Sequence, residues 1–218
     1  MGKNILVVAA TAKEIDPFII LKRTGQFTNV DILISGIGLT ASTWHLSKQL
    51  ALKKYDLVIQ AGVAGSFDLT ISPGQVVAVK QDAIADQSVV ELEKLKTLFD
   101  LDLVPQDQYP YKKGWLINPN KEILKKTKLK IVKGVSVNQI STSKQMIQFY
   151  RDRFDPVTES MEGAALHYVC LMEDIPFLQI RSISNYIGER NKKNWNMMDS
   201  IINLNHKLTN LLKIFNAQ

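Results

Sequence analysis

VTESMEGAALHYVCLMEDIPFLQIRSISNYIGER, Val157 to Arg190, is the stretch from which the fold is read. Ser160 is the expected N-cap of a helix. Met161, Ala164, Ala165, Tyr168 and Met172 follow at i, i+3, i+4, i+7 and i+11, one apolar face. Glu162 lies off that stripe in the first turn. It either favours the helix dipole there or faces a ligand. His167 and Cys170 read as surface and core residues. Phe177 to Ile183 reads as a buried strand, and Arg181-Ser182-Ile183-Ser184-Asn185 puts polar groups at its carboxyl end. In open α/β sheets, ligands sit in the crevice beyond the carboxyl ends of the strands.

Working outward, the same strand signal recurs. Asn4–Ala10, Val30–Ser35, Asp56–Ala61, Gln75–Lys80 and Lys130–Val137 are short apolar runs, the pattern of strands covered on both faces. Helices are expected over Leu39–Leu52, Asn118–Lys126 and Lys144–Tyr150, the last capped by Ser143. A closing helix, Met197–Phe215, should cover one face of the sheet through Ile201, Leu204, Leu208, Leu211, Leu212 and Phe215. Strands alternating with helices predict an α/β fold with a largely parallel sheet. Asp82–Leu116 is the least patterned segment. A short helix at Val89–Phe99 is expected there, folding over one end of the sheet. Tyr109, Tyr111 and Trp115 either line a pocket or simply pack, the second being the simpler reading. With no linker, repeat or low-complexity segment, residues 1–218 read as one domain.

Of the 218 residues, 45% are hydrophobic and 22% charged, ordinary globular values. No run of 18 apolar residues marks a membrane span. The first residues read as a strand rather than a signal peptide. A single cysteine, Cys170, excludes an internal disulfide and a cysteine-based zinc site. A cytoplasmic protein without metal or cofactor is expected. The net charge of +6 admits an anionic partner. However, Lys121, Lys125, Lys126, Lys128, Lys130 and Lys133 read as a solvated face, and no aromatics interleave them as base stacking would need. Neither nucleic acid nor membrane is therefore an expected partner.

Chemistry can be placed at three strand ends. Glu14 follows the first strand, and its spacing fits equally a capping box with Thr11 and a carboxylate facing a ligand. Gly36-Ile37-Gly38 joins a strand to a helix and turns backbone N–H groups toward the helix start, where polar or anionic ligands bind. It lacks the rest of a dinucleotide fingerprint or P-loop. Gly62-Val63-Ala64-Gly65-Ser66 ends the third expected strand with residues small enough for a ligand to approach the backbone. His45, within the helix after the GIG turn, reads as a surface or packing residue.

Taken in order, Ala10 to Glu14, SGIG at 35–38, AGVAG at 61–65, PGQVV at 73–77, SMEGAA at 160–165 and RSISN at 181–185 resemble the nucleoside phosphorylase and nucleosidase superfamily. The resemblance spans almost the whole chain. It implies one three-layer domain around a central mixed, mostly parallel sheet. It also implies a homo-oligomer, with a dimer favoured, that cleaves the N-glycosidic bond of a purine nucleoside. By the same resemblance, Glu14 is the general base and Arg181 holds the attacking water or its neighbouring carboxylate. Met161 and Glu162 bind the ribose. Ser160 stands where many relatives have a carboxylate. Asn185, with Ser184 beside it, bonds the leaving purine. Ile140 and Gly62-Val63-Ala64 flank the base, and Trp195 walls the 5′ group. The resemblance also implies that a partner subunit completes the 5′ pocket.

Within the superfamily, two hydrolase branches compete. Adenine-releasing enzymes act on methylthioadenosine, S-adenosylhomocysteine or aminodeoxyfutalosine; futalosine hydrolases release hypoxanthine. Adenine-specific relatives carry Asp at the end of the RSISN motif, where this chain has Asn185, and usually Ser where it has Val63. The amide of Asn185 donates to an acceptor such as the carbonyl of hypoxanthine, whereas a carboxylate only accepts. The futalosine branch is therefore expected. A phosphorylase would need an anion site, and no clear set of arginines lies near the glycine loops. A non-catalytic binding protein is supported by basicity alone.

Overall fold

The structure, a computed structural model, describes residues 2–216. β1 (Ile5–Ala9) is buried along its whole length and pairs in parallel with β2 (Val30–Ile34) and β3 (Leu57–Ser66). A run without alternation needs cover on both faces, and β1 has it. Ile5 and Val7 pack with Leu204, Leu208 and Leu212 of α6 (Met197–Asn216). Leu6 and Val8 point the other way, onto Leu46 of α2 (Leu39–Leu52) and Leu166 and Val169 of α5 (Gly163–Met172). The result is a three-layer arrangement, helix on sheet on helix.

Beyond β1, the sheet folds back on itself. β3 pairs in parallel with β10 (Phe177–Tyr186) and, at its end, antiparallel with β9 (Thr158–Ser160). β10 runs antiparallel to β4 (Val76–Asp82), which pairs in parallel with β8 (Lys130–Ser136), and β8 pairs in parallel with β9. The ring β3–β10–β4–β8–β9 thus closes, with β1 and β2 extending outward from β3 and β7 (Leu116–Ile117) added to β4. The mixed, mostly parallel sheet flanked by helices is the architecture expected above.

Several local expectations are corrected. The small residues 62–66 and the RSISN motif do not lie past their strands. They continue them, with Gly62 paired to Arg181 and Gly65 to Asn185. The helix expected at Val89–Phe99 is instead a hairpin, β5 (Ser88–Glu91) and β6 (Lys94–Thr97). Leu95 and Thr97 are buried between outward lysines, a period of two. Leu92 and Glu93 both adopt positive φ, as a two-residue hairpin turn requires. Ser160 does not hold the N-cap position: it ends β9 and Glu162 stands there, while the Ser160 hydroxyl still accepts from the Gly163 N–H at 3.3 Å. Nor is α5 amphipathic. It is buried all round from Gly163 to His167, while Met172 is half-exposed. His167 is interior, its Nδ1 2.9 Å from the carbonyl of Leu116 and its ring against Phe177. Burial lowers its pKa to about 4.

The remaining α-helices are α1 (Asp16–Arg23), α3 (Lys121–Lys126) and α4 (Lys144–Phe154), and short 3-10 turns span Ala12–Ile15 and Lys192–Asn194. Ser143 caps α4, its hydroxyl accepting from the Met146 N–H at 3.5 Å. Tyr111 packs on Phe99 and Tyr168, and Trp115 on Phe154, so these aromatics serve packing. Among the described residues no helix is long and apolar enough to cross a membrane.

Candidate active site

A cavity of about 410 Å³ opens where β1, β3, β9 and β10 end, a size suited to a small organic ligand. Glu14, Val63, Ala64, Ile140, Ser160, Met161, Glu162, Ser184, Asn185 and Trp195 all line it. Two residues expected at the site stand behind its wall. Gly62 and Arg181 are paired across β3 and β10, and the Arg181 side chain runs beneath the cavity, 1% exposed. A Cβ on Gly62 would collide with Arg181 Nη1 and come within 3.0 Å of Glu14 Oε1. Gly62 therefore makes room for two charged groups rather than for the ligand itself.

Those groups set the chemistry of one end. Glu14 Oε2 accepts from the N–H and hydroxyl of Thr11 at 3.0 and 3.1 Å, and Oε1 from the Val63 N–H at 3.1 Å. The capping and ligand-facing readings of Glu14 are thus compatible: the cap bonds hold its carboxylate in the cavity wall. Asn205 of α6 fixes the same turn, donating to the Glu14 carbonyl at 2.8 Å. Glu162 Oε1 accepts from the Gly38 N–H at 3.1 Å, and Oε2 lies 3.5 Å from Arg181 Nη1. Burial raises the Glu162 pKa, while Arg181 and the Gly38 N–H oppose the shift. Arg181 in turn donates to Gln60 Oε1 at 2.6 Å. The N–H at the glycine turn, free in principle for an anionic ligand, is occupied by an internal carboxylate. The first turn of α5 is held from below. Ser136 Oγ donates to Asp82 at 2.9 Å and accepts from the Ala164 N–H at 2.8 Å. Burial raises the Asp82 pKa to about 6.

Asn185 marks the other end. Its Nδ2 donates to the Tyr186 carbonyl at 2.9 Å, and its Oδ1 accepts from the Ser184 hydroxyl at 2.8 Å. The carbonyl only accepts, so the amide nitrogen must face it. The second N–H of that nitrogen remains for a ligand. Sequence reasoning missed Glu159, which lines the cavity beside Ile140 and Ser141. The available signal was a lone carboxylate just before the SMEG motif, within a segment short enough to be a buried strand. Ile187, Met197 and Ile201 also line the cavity unforeseen. Trp195 forms its outer wall, with the Arg190 guanidinium 5.8 Å from the ring centre.

Residues 18–217 match the family model described as Phosphorylase superfamily. The chain belongs to that superfamily. A methylthioadenosine/S-adenosylhomocysteine nucleosidase of Maridesulfovibrio salexigens is 27% identical over 180 residues, 76% of this chain and 73% of the relative. A futalosine hydrolase of Thermus thermophilus is 24% identical over 200 residues, 90% of this chain and 88% of the relative. The fold superposes on the structure of Helicobacter pylori futalosine hydrolase with a TM-score of 0.77 at 21% identity, covering 98% of this chain and 99% of that one. Both hydrolase branches stand among the relatives at similar distance. Among the described residues no group of His, Cys, Asp or Glu is placed to hold a metal ion.

Proposed function

We propose that this chain is a purine riboside N-glycosidase of the futalosine hydrolase type, releasing hypoxanthine by attack of water on the sugar. The class rests on the superfamily membership and on relatives that are nucleosidases in both branches. The choice within the class rests on one observation: Asn185, not a carboxylic acid, faces the cavity with a free N–H donor.

Glycosidic cleavage develops positive charge on the sugar and negative charge on the leaving base. Glu162 takes the ribose hydroxyls, with Met161 under the ring. The Glu162 carboxylate stabilises the cationic sugar because Arg181 and the Gly38 N–H hold it in place. Arg181 thus acts as a positioning residue, through Glu162. Glu14 orients and deprotonates the attacking water. The Asn185 amide donates to N7 or the 6-oxo group of the purine and stabilises the departing base, while the proton it finally needs comes from water. Val63, Ala64 and Ile140 flank the base, and Trp195 with Arg190 receives the 5′ extension. Assembly as a homodimer is part of this proposal.

The test is incubation of the purified protein with futalosine and with methylthioadenosine, each with and without phosphate, and identification of the released base. Hypoxanthine from futalosine at equal rates with and without phosphate is the expected result. Adenine from methylthioadenosine with no hypoxanthine from futalosine overturns the substrate. A product that forms only with phosphate overturns hydrolysis.

A further inference from the structure

The base end carries more recognition chemistry than Asn185. Glu159 is 5% exposed and lines the cavity. Its Oε1 accepts from the Ser141 N–H at 3.1 Å, but its Oε2 is buried with no hydrogen-bond partner. The Ser141 hydroxyl beside it is also buried and unpartnered. Buried polar atoms are nearly always satisfied, so a carboxylate oxygen left open at a cavity wall points to a donor supplied by the ligand.

Strand register says which part of the ligand. Glu159 on β9 and Asn185 on β10 are both paired to the same residue of β3, Gly65. Paired residues on adjacent strands point to the same face. Glu159 and Asn185 therefore project together from either side of Gly65, on strands two spacings or roughly 10 Å apart. Gly65 brings no side chain into the gap between them; a Cβ there would collide with Ile187 and lie 3.5 Å from Asn185 Nδ2. The arrangement is a slot, with a donor amide on one side and an acceptor carboxylate on the other.

We propose that Glu159 is a base-reading residue whose Oε2 accepts the N1–H of a 6-oxopurine while Asn185 donates to the opposite edge. The inference rests on the reading of this cavity as a purine nucleoside site. A 6-oxopurine carries a proton at N1; a 6-aminopurine presents a bare lone pair there and faces the lone pairs of Glu159. Burial raises the Glu159 pKa, and a bound N–H favours its ionised form. The two residues read the base by opposite polarity, so each rejects adenine for its own reason.

The experiment titrates the full chain and its Glu159→Gln variant with hypoxanthine, 1-methylhypoxanthine and adenine by calorimetry. With its oxygen kept on the Ser141 N–H, the Gln side chain turns an NH₂ toward N1, reversing the polarity of that arm alone. Hypoxanthine should bind the variant about tenfold to a hundredfold more weakly, the range for one hydrogen bond to a charged group. Adenine should hold or gain, and 1-methylhypoxanthine should bind the wild type as weakly as hypoxanthine binds the variant. The inference falls if both bases weaken equally in the variant, if methylation at N1 costs nothing, or if the wild type does not bind hypoxanthine. Should the variant not fold, the methylated base against the wild type still decides. Futalosine turnover separates this from the functional reading. Hydrolysis with Glu159-independent base binding removes only the inference; base binding that needs N1–H, without futalosine hydrolysis, removes only the substrate.

Discussion

The two ends of the cavity are built differently. At the end proposed to take the sugar each carboxylate oxygen already has a partner: Glu14 holds Thr11 and Val63, and Glu162 holds Gly38 and Arg181. At the end proposed to take the base Glu159 Oε2 and Ser141 Oγ are buried with none. Charge develops on the sugar during cleavage, and groups fixed beforehand need no reorganisation to meet it. The base changes less in shape than in who can bind, and discrimination is strongest where unpaired groups penalise the wrong ligand. One end is finished by the fold, the other by the substrate. Substitutions should therefore act on rate at the first and on preference at the second.

The largest effect should come from Glu14→Gln. Gln keeps the shape and can still cap the Thr11 N–H, but its NH₂ then meets the Val63 N–H in place of an acceptor oxygen, so stability should fall only by the roughly 1 kcal/mol of one lost hydrogen bond. Removing a general base typically costs 10²–10⁴-fold, and a fall in kcat of about 10³ with little change in KM is expected. Steady-state kinetics with a melting curve check this; near-normal turnover would leave Glu14 a cap alone.

Glu162→Gln comes next and tests whether the sugar end is prebuilt. Loss of the charge leaves Arg181, 1% exposed, with Gln60 as its remaining hydrogen-bond partner. Breaking a buried ion pair by removing one partner costs about 3–5 kcal/mol, and removing a preorganised electrostatic group costs on the order of 10²-fold in kcat. Chemical denaturation should therefore show a clearly larger loss of stability than Glu14→Gln shows. Equal stability in the two variants would break the distinction between a working carboxylate and one that also anchors the wall.

How much of this was legible in the sequence differs by element. The unbroken apolar runs of β1 and β3 could be read because both faces are covered, by α6 on one side and α2 with α5 on the other. The hairpin at Ser88–Thr97 was not, because its few alternating residues carry exposed Val89 and Val90 and resemble a polar loop. His167 was misplaced because α5 is enclosed all round, a state its amphipathic spacing does not announce. Motif resemblance delivered Glu14, Met161, Glu162 and Asn185 to one cavity. It could not show that Arg181 stands behind the wall, since that follows from the side chain running under Gly62. Glu159 was invisible for the opposite reason. Its meaning lies in the pairing of two strands distant in sequence with one glycine.

The smallest effect, and the sharpest on preference, is expected from Asn185→Asp. The substitution is nearly isosteric, so the Ser184 hydroxyl can still donate to one oxygen. The other oxygen then faces the Tyr186 carbonyl, where the amide now donates. Two acceptors in contact favour the protonated acid, which raises the pKa of the new carboxyl. The acid carries one O–H where the amide nitrogen carries two N–H, so it serves either the Tyr186 carbonyl or the base, and as pH rises through that raised value the ionised form loses that one donor. Hydrolysis of 6-oxopurine ribosides by the variant should therefore fall at high pH by about tenfold to a hundredfold against wild type, the range for one lost hydrogen bond at a closed site. At low pH that single O–H can turn to the base at the expense of the Tyr186 bond, and the deficit should shrink without vanishing. Activity on 6-aminopurine ribosides should gain relative to 6-oxopurine ribosides across the range. Because Glu159 is untouched, the switch should be incomplete, and Glu159→Gln added to Asn185→Asp should carry it further. Paired pH profiles of kcat/KM on inosine-type and adenosine-type substrates read both effects. A variant whose deficit does not change with pH would show that Asn185 shapes the cavity without choosing its base.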